Sequence, residues 1–334
     1  MSDKNQTIGN EFFDAAHYFL HEKHFLQTSA WGAFQQKMGN KTLEADGVSA
    51  DGGEWSYMAI EEHGQFSSRL YCPYGPFFTT MGAFEDALHS LITAAKAKGL
   101  EFVRLEPRSL LTEEDFLKRG LKKARRGVQP PDTIINDVRA EAMSAEDIIA
   151  HTSTLRRRLY RKGEKEGVQY DVSYDPADIR HFIDMIHDVS DRTGMHPHPD
   201  AYFERMAEVL FPLKKAGLLI AKLDGKPIST ILIYTDGTTM SYAHAANFSE
   251  YRKISPASGL FSYALLYARE TGHTLFDSYG VAPVGAPESH SWSGFTAFKE
   301  SFGGVRVHYP GTWEFPVRKV RYAAYRLIAK ILGK

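Results

Sequence analysis

The chain has 334 residues, 43% of them hydrophobic, with 40 Lys and Arg against 41 Asp and Glu for a formal net charge of -1. This length and apolar content suit one large or two medium globular domains and exclude a disordered chain, and the balanced charge excludes a uniformly basic protein. The one cysteine, Cys72, excludes an internal disulfide and a multi-cysteine zinc site and fits a reducing compartment. The start, MSDKNQTIGNEFF, lacks a basic segment followed by an apolar run, and no apolar stretch approaches the ~18 residues needed to span a bilayer. A cytoplasmic protein is expected.

In chain order, helical patterns at 11–20 and 29–38 precede strand-like runs near 42–47, 54–62 and 68–74. Next to Pro73, Cys72 reads as small core filler. A helix carrying Phe84, Ala87, Leu88, Leu91, Ile92 and Ala95 stops at Gly99, and LEFVRLEP follows as a strand. Residues 117–126 then hold Lys118, Arg119, Lys122, Lys123, Arg125 and Arg126 without an acid. A basic helix is expected over about 144–165, opened by a capping box from Ser144 to Asp147. Its part from Arg156 to Lys165 carries four arginines and two lysines against one glutamate. Both basic runs suit either solvated helix faces or a phosphate backbone.

Beyond this, Asp175-Pro176 caps a helix with Ile179, Phe182, Ile183, Ile186 and Val189 on one face, and a second helix covers about 200–210. Three strands follow, joined by turns at Asp224-Gly225 and Asp236-Gly237. Ser255-Pro256 opens a helix with Leu260, Tyr263, Ala264 and Tyr267 on one face, which stops at Gly272 before the strand TLFDSYG. Helix, meander, helix, glycine and strand therefore occur twice, which indicates an internal duplication: two α/β domains over 1–143 and 144–334, the second containing the linker helix and a basic C-terminal helix.

The order of meander, helix and strand resembles the fold shared by many N-acetyltransferases, with mixed central sheets. In that fold a glycine-rich turn at a helix N-terminus holds the diphosphate of coenzyme A. The matching stretches here, YRKISPASG and YGPFFTTMG, lack the basic or amide residue followed by paired glycines, which argues against coenzyme A as donor. No cofactor and no metal are expected; His196 and His198 are each followed by proline and have no further ligands at helical or turn spacing.

In GFTAFKESFGG, Lys299 lies among Phe295, Phe298 and Phe302. A lysine held there partly desolvated can steady developing negative charge far better than one in water, whereas in an amphipathic turn the same lysine would snorkel outward.

Taken together, SAWGAFQQKMG (Ser29–Gly39), YGP (Tyr74–Pro76), RLEP (Arg104–Pro107), the basic run ending at Gly167-Val168, AYF (Ala201–Phe203) and AFKESFGG resemble, in this order, the FemABX family of peptidyltransferases. The resemblance implies two acetyltransferase-like (GNAT-like) domains, here in the compact form without a coiled-coil arm. It implies transfer of an amino acid from aminoacyl-tRNA to the side-chain amine of the peptidoglycan stem peptide, on a lipid-linked (lipid II) or UDP-linked (UDP-MurNAc-pentapeptide) precursor, in cross-bridge formation. The first domain would then bind the cell-wall precursor.

Carried over residue by residue, the resemblance gives Lys299 a catalytic role with Phe298 as its packing neighbour. It places Glu106 near the accepting peptide, to attract or deprotonate the incoming ammonium. It also makes Lys37 a contact to the precursor diphosphate, and Trp31, Tyr74 and Arg104 belong to matched motifs of the substrate site. A second diphosphate contact, an arginine in the family, falls on His198, which binds phosphate less well. Read without the resemblance, Glu106 is a strand-end carboxylate paired with Arg104 or Arg108, and Lys37 an exposed helix lysine. Two other functions fit the same fold: an acyl-CoA-dependent N-acyltransferase acting on a polysaccharide or lipid amine, and a precursor-binding protein without catalysis.

The C-terminal run FPVRKVRYAAYRLIAKILGK has Val317, Val320, Ala324, Leu327, Ile328 and Ile331 along one helical stripe and no acid after Glu314. The stripe suits packing on the second domain, or peripheral contact with the inner face of an anionic membrane.

Overall fold

The computed structural model describes residues 23–331; the helical pattern expected at 11–20 lies outside the described residues. The chain divides into two compact units: one ends at Pro131 and resumes at His308, the other runs Asp132–Val307.

In the first unit, α1 (Ser29–Lys37) starts at Thr28, whose hydroxyl accepts from the Trp31 amide. Three antiparallel strands follow, β1 (Lys41–Val48), β2 (Glu54–His63) and β3 (Ser68–Cys72), and short β4 (Phe77–Phe78) pairs with β2. Thr80 caps α2 (Met81–Ala97), which buries Phe84, Leu88 and Leu91, the face expected from their spacing. Gly99, at φ +69, turns the chain out of the helix into β5 (Phe102–Leu105), parallel to β3. Helix α3 (Glu113–Lys118), opened by a Thr112–Asp115 capping box, and β6 (Lys122–Lys123) complete this segment.

The second unit repeats the succession. It opens with β7 (Asp132–Asp137), α4 (Ala145–His151), α5 (Thr154–Lys165) and β8 (Gln169–Ser173). Helices α6 (Ile179–Thr193) and α7 (Asp200–Leu210) precede an antiparallel meander of β9 (Ala216–Leu223), β10 (Lys226–Thr235) and β11 (Thr239–Asn247). Then come α8 (Pro256–Glu270), Gly272 at φ +79, and β12 (Leu275–Asp277) parallel to β11. Helix α9 (Ser293–Glu300) and β13 (Val305–His308) close it. The expected duplication is thus present in the backbone: in both units a meander, a helix ended by a positive-φ glycine and a strand parallel to the third.

Two departures from the sequence reading concern the boundaries. The basic segment 144–165 is two helices, because Thr152 is extended and the Ser153 hydroxyl accepts from the Arg156 amide, capping a new helix. The expected capping box at Ser144 and Asp147 is formed. The divide falls at 131/132 rather than 143/144, and the C-terminal segment returns to the first unit. There β14 (Trp313–Pro316) lies between β5 and β6, giving the order β1-β2-β3-β5-β14-β6, and α10 (Lys319–Ile331) packs beside it. In the second sheet, ordered β13-β7-β12-β11-β10-β9-β8, the strand beside β12 is β7. Each sheet is therefore extended by a strand that follows the other unit's meander in sequence.

The returning segment is locked in by its side chains. Trp313 is fully buried and stacks on Phe116 at 4.5 Å. Arg104 Nη2 donates to Glu314 Oε1 at 2.5 Å and to the Tyr325 hydroxyl at 2.9 Å, while the Tyr322 hydroxyl donates to Glu314 Oε2 at 2.8 Å. Both charged groups are nearly solvent-free, so removing one strands the other. Glu314→Ala is expected to cost ~3–5 kcal/mol in urea unfolding of the first unit; a loss below about 1 kcal/mol would show the pair to be dispensable.

Candidate active site

The most unusual local geometry lies where β11 and β12 part. The two strands pair over Thr239–Ser241 and Leu275–Asp277 only. Immediately after, the pairing of β10 with β11 shifts: Ile233 faces Tyr242 and Leu232 faces His244, leaving Ala243 as the extra residue of a bulge. A bulge bends and twists its strand. Meanwhile β12 ends, and Tyr279 takes φ +60.

Lys299, in the last turn of α9, reaches into this region. It is 7% exposed. Its Nζ donates to the Gly280 carbonyl at 2.8 Å and, at the limit of a hydrogen bond, to the Tyr279 carbonyl at 3.5 Å. It lies 5.2 Å from the ring centres of both Tyr242 and Phe295. Burial pushes its pKa down to about 8, against a smaller upward pull from Asp277. The snorkelling reading is thereby set aside, since the amine points into the protein. Phe298 faces the other way: it packs on Phe261 and Phe302, and the Arg156 guanidinium lies 4.5 Å from its ring centre. Arg156 itself donates to Ser301 and Ser258 hydroxyls at 2.6 and 2.8 Å, so the first residue of the basic run ties α5 to α8 and α9.

Tyr242, Asp277 and the Tyr279 and Gly280 carbonyls were not singled out from the sequence, and Arg156 was named there only as part of a basic run. The bulge that presents Tyr242 depends on strand pairing, and the DSYG stretch carries no signal for the lysine that reaches it from twenty residues on. The neighbouring His198 stacks on Tyr202 at 4.1 Å and meets His244 edge-on at 6.4 Å. Partial burial lowers the His198 pKa, and burial together with His198 pushes His244 down to about 4. Both rings are thus biased toward the neutral form, which weakens His198 as a substitute for an arginine at a diphosphate.

In the first unit the expected site residues have mostly structural partners. The Glu106 carboxylate is buried and accepts from the Tyr71 hydroxyl (2.5 Å), the Thr312 hydroxyl (2.5 Å) and the Val128 and Gln129 amides (2.9 and 3.1 Å). Three of these donors meet Oε1 and only Tyr71 meets Oε2, so the carboxylate is held mainly by the 128–129 loop and Thr312; it pairs with neither Arg104 nor Arg108. Arg104 is paired with Glu314. Tyr74 is buried, and its hydroxyl donates to the Pro130 carbonyl at 2.7 Å. Trp31 is buried against Phe25 and Phe34, while Lys37 is exposed in the last turn of α1. The thiol of Cys72 is buried and its pKa raised by that burial, in keeping with core filler. Among the described residues no cluster of three or more His, Cys, Asp or Glu is arranged to hold a metal ion.

Residues 150–288 match the acetyltransferase (GNAT) domain family. The whole chain is similar in structure to FemX, with TM-score 0.79, 16% identity and coverage of 97% of this chain and 98% of that one. It is also similar to the C-terminal DUF2156 domain of a candidate lysylphosphatidylglycerol synthetase from Agrobacterium fabrum (TM-score 0.58, 13% identity, 94% and 95% covered). A third likeness is to a tandem GNAT protein from the clavulanic acid biosynthesis pathway (TM-score 0.53, 10% identity, 91% and 92% covered). No curated protein matches the sequence. The class is therefore a mixed α/β protein of two tandem acetyltransferase-like units. Within that class the chain has the FemABX-type fold.

The depressed Lys299 pKa has a consequence for stability. Between about pH 8 and the ordinary lysine value near 10.4, the unfolded chain binds a proton at this position that the folded chain does not. Stability relative to Lys299→Met is therefore expected to rise with pH across that window and to be lowest below it. A parent-to-variant difference flat from pH 7 to 10 in urea unfolding would contradict the burial of the charge.

Proposed function

We propose that the protein is an aminoacyltransferase that moves an amino acid from aminoacyl-tRNA to the side-chain amine of the peptidoglycan stem peptide, on a lipid-linked or UDP-linked precursor. The observation that carries the reading is the desolvated Lys299 amine at the parting of β11 and β12. The start of α8 supports it: Ser255 stands at φ +55 and Pro256 at the first helical position, where proline removes an amide that a diphosphate would need.

The chemistry asks little more. An aminoacyl ester is already activated, so the amine nitrogen attacks its carbonyl carbon, the C–N bond forms, and the tetrahedral intermediate places negative charge on the carbonyl oxygen. Collapse breaks the ester C–O bond, and the proton lost by the amine ends on the departing ribose oxygen. An ammonium has three N–H groups, and Lys299 directs two at the Gly280 and Tyr279 carbonyls. The third is available to the oxyanion, in surroundings where it acts more strongly than in water. Those carbonyls also fix the amine, so little reorganisation accompanies reaction. Glu106 acts in this scheme as a positioning residue, holding the 128–129 loop of the first unit.

Lys299→Met is expected to lower kcat by a factor of ~100 or more with KM little changed; normal turnover would end the assignment. Because the protonated amine is the active form, the parent rate is expected to fall as pH rises through about 8, a limb that the variant lacks. A rate that instead climbs through that pH would identify the amine as a base.

The matched acetyltransferase segment at 150–288 favours a second reading, an acyl-CoA-dependent N-acyltransferase acting on a polysaccharide or lipid amine. Turnover with charged tRNA and not with acyl-CoA separates the two.

The basic runs contribute unequally to tRNA binding under this proposal. In 117–126, Lys118 and Arg119 pair with Glu114 and Glu85, and the Lys123 amine bonds the Pro310 carbonyl and lies over Trp313. Along α5, Arg158, Arg161 and Lys165 are exposed beside a shallow hollow. Reversing these three charges is expected to weaken tRNA binding and flatten its salt dependence by about one unit of slope per lost phosphate contact. Unchanged binding would remove α5 from the interface.

A further inference from the structure

The C-terminal helix α10 is attached to the first unit by the face opposite its aliphatic stripe. Tyr322, Tyr325 and Ala329 point inward, with the Tyr322 and Tyr325 rings 5.4 and 4.9 Å from Phe102. The aliphatic residues Val320, Ala324, Leu327 and Ile331 point outward. Val320 is 84% exposed, Leu327 60% and Ile331 74%. A single exposed aliphatic residue is ordinary, but spacings of four, three and four place these on one line down the helix.

Charge flanks that line on both sides. At 100° per residue, Lys319 and Lys330 fall on one border and Arg321 on the other, and all three are exposed. The helix contains no acid. Glu314, just before it, is buried on Arg104, and Glu101 lies 3.7 Å from Arg321. Among the described residues no helix is long and apolar enough to cross a membrane, so this one would lie along a surface.

We infer that α10 is a docking surface for an anionic phospholipid bilayer, its aliphatic line entering the acyl boundary while Lys319, Arg321 and Lys330 meet the headgroups. A lipid surface is the one occupant that uses both features. A second copy seated on the same helix would bring its basic borders against like charges, and a nucleic acid would leave the aliphatic line in water. The surface is separate from the transfer chemistry, and its test needs no substrate.

The full chain is mixed at low salt with vesicles of phosphatidylglycerol and phosphatidylcholine, or of phosphatidylcholine alone, and sedimented. Pelleting is expected with the anionic vesicles, at least 10-fold more than with the neutral ones, and reduced by salt. Two triple variants, V320S/L327S/I331S and K319Q/R321Q/K330Q, change only outward-facing positions and are expected to keep the parental Tm while each loses most of the pelleting. Failure of the parent to pellet, equal pelleting on neutral vesicles, or full pelleting by either variant would overturn the proposal. Dimerisation of the parent that V320S/L327S/I331S abolishes would also overturn it, by assigning the line to a second copy.

Discussion

A parallel pairing only three residues long governs the second unit. Because β11 carries a bulge at Ala243 and β12 ends at Asp277, the sheet cannot continue its ladder past Ser241, and the carbonyls of Tyr279 and Gly280 would go unsatisfied there. The Lys299 amine supplies their donor. The same arrangement that satisfies the backbone draws a cation out of water, and the cost of that desolvation appears as its depressed pKa. Structural need and chemical capacity thus rest on one nitrogen.

The first unit meets the equivalent problem differently. Past the pairing of Cys72 with Leu105, the Glu106 amide donates to the Gly75 carbonyl at 3.1 Å and the Glu106 carboxylate gathers four donors from β3, the 128–129 loop and the stretch before β14. Here a buried carboxylate gathers backbone and hydroxyl donors, whereas in the second unit a lysine amine donates to backbone carbonyls. Duplication preserved the backbone plan, while the chemistry at the end of the parallel pair diverged.

Most elements were legible because they are local. The 3.6-residue spacing of Phe84, Leu88 and Leu91 and the Asp-Gly turns of the second meander declare themselves within a few residues. The lysine of α9 was legible as a candidate from its aromatic neighbours, though Phe298 turned out to pack in the core and Phe295 beside the amine. What failed was long-range. No spacing near Glu106 announces Thr312, and nothing near Arg104 announces Glu314, 210 residues away. The break at Thr152 and Ser153 has no glycine or proline to mark it. The spacing of the aliphatic stripe of α10 suits a buried face and a membrane-facing one equally, because it does not set aromatic against aliphatic burial: Tyr322 and Tyr325, each carrying a hydroxyl that meets a charged partner, take the interior.

The placement of β14 bears on how the protein is made. Its partner β5 is finished early, yet the strand that covers its edge is encoded only after the whole second unit. At ~5–20 residues per second, translation leaves that edge unpaired on the ribosome for roughly 10–40 s. An open strand edge is a template for pairing with other chains. The nascent first unit therefore waits, incomplete, until the whole second unit has been made, and the burial of Trp313 and Glu314 amounts to a closing step that follows it.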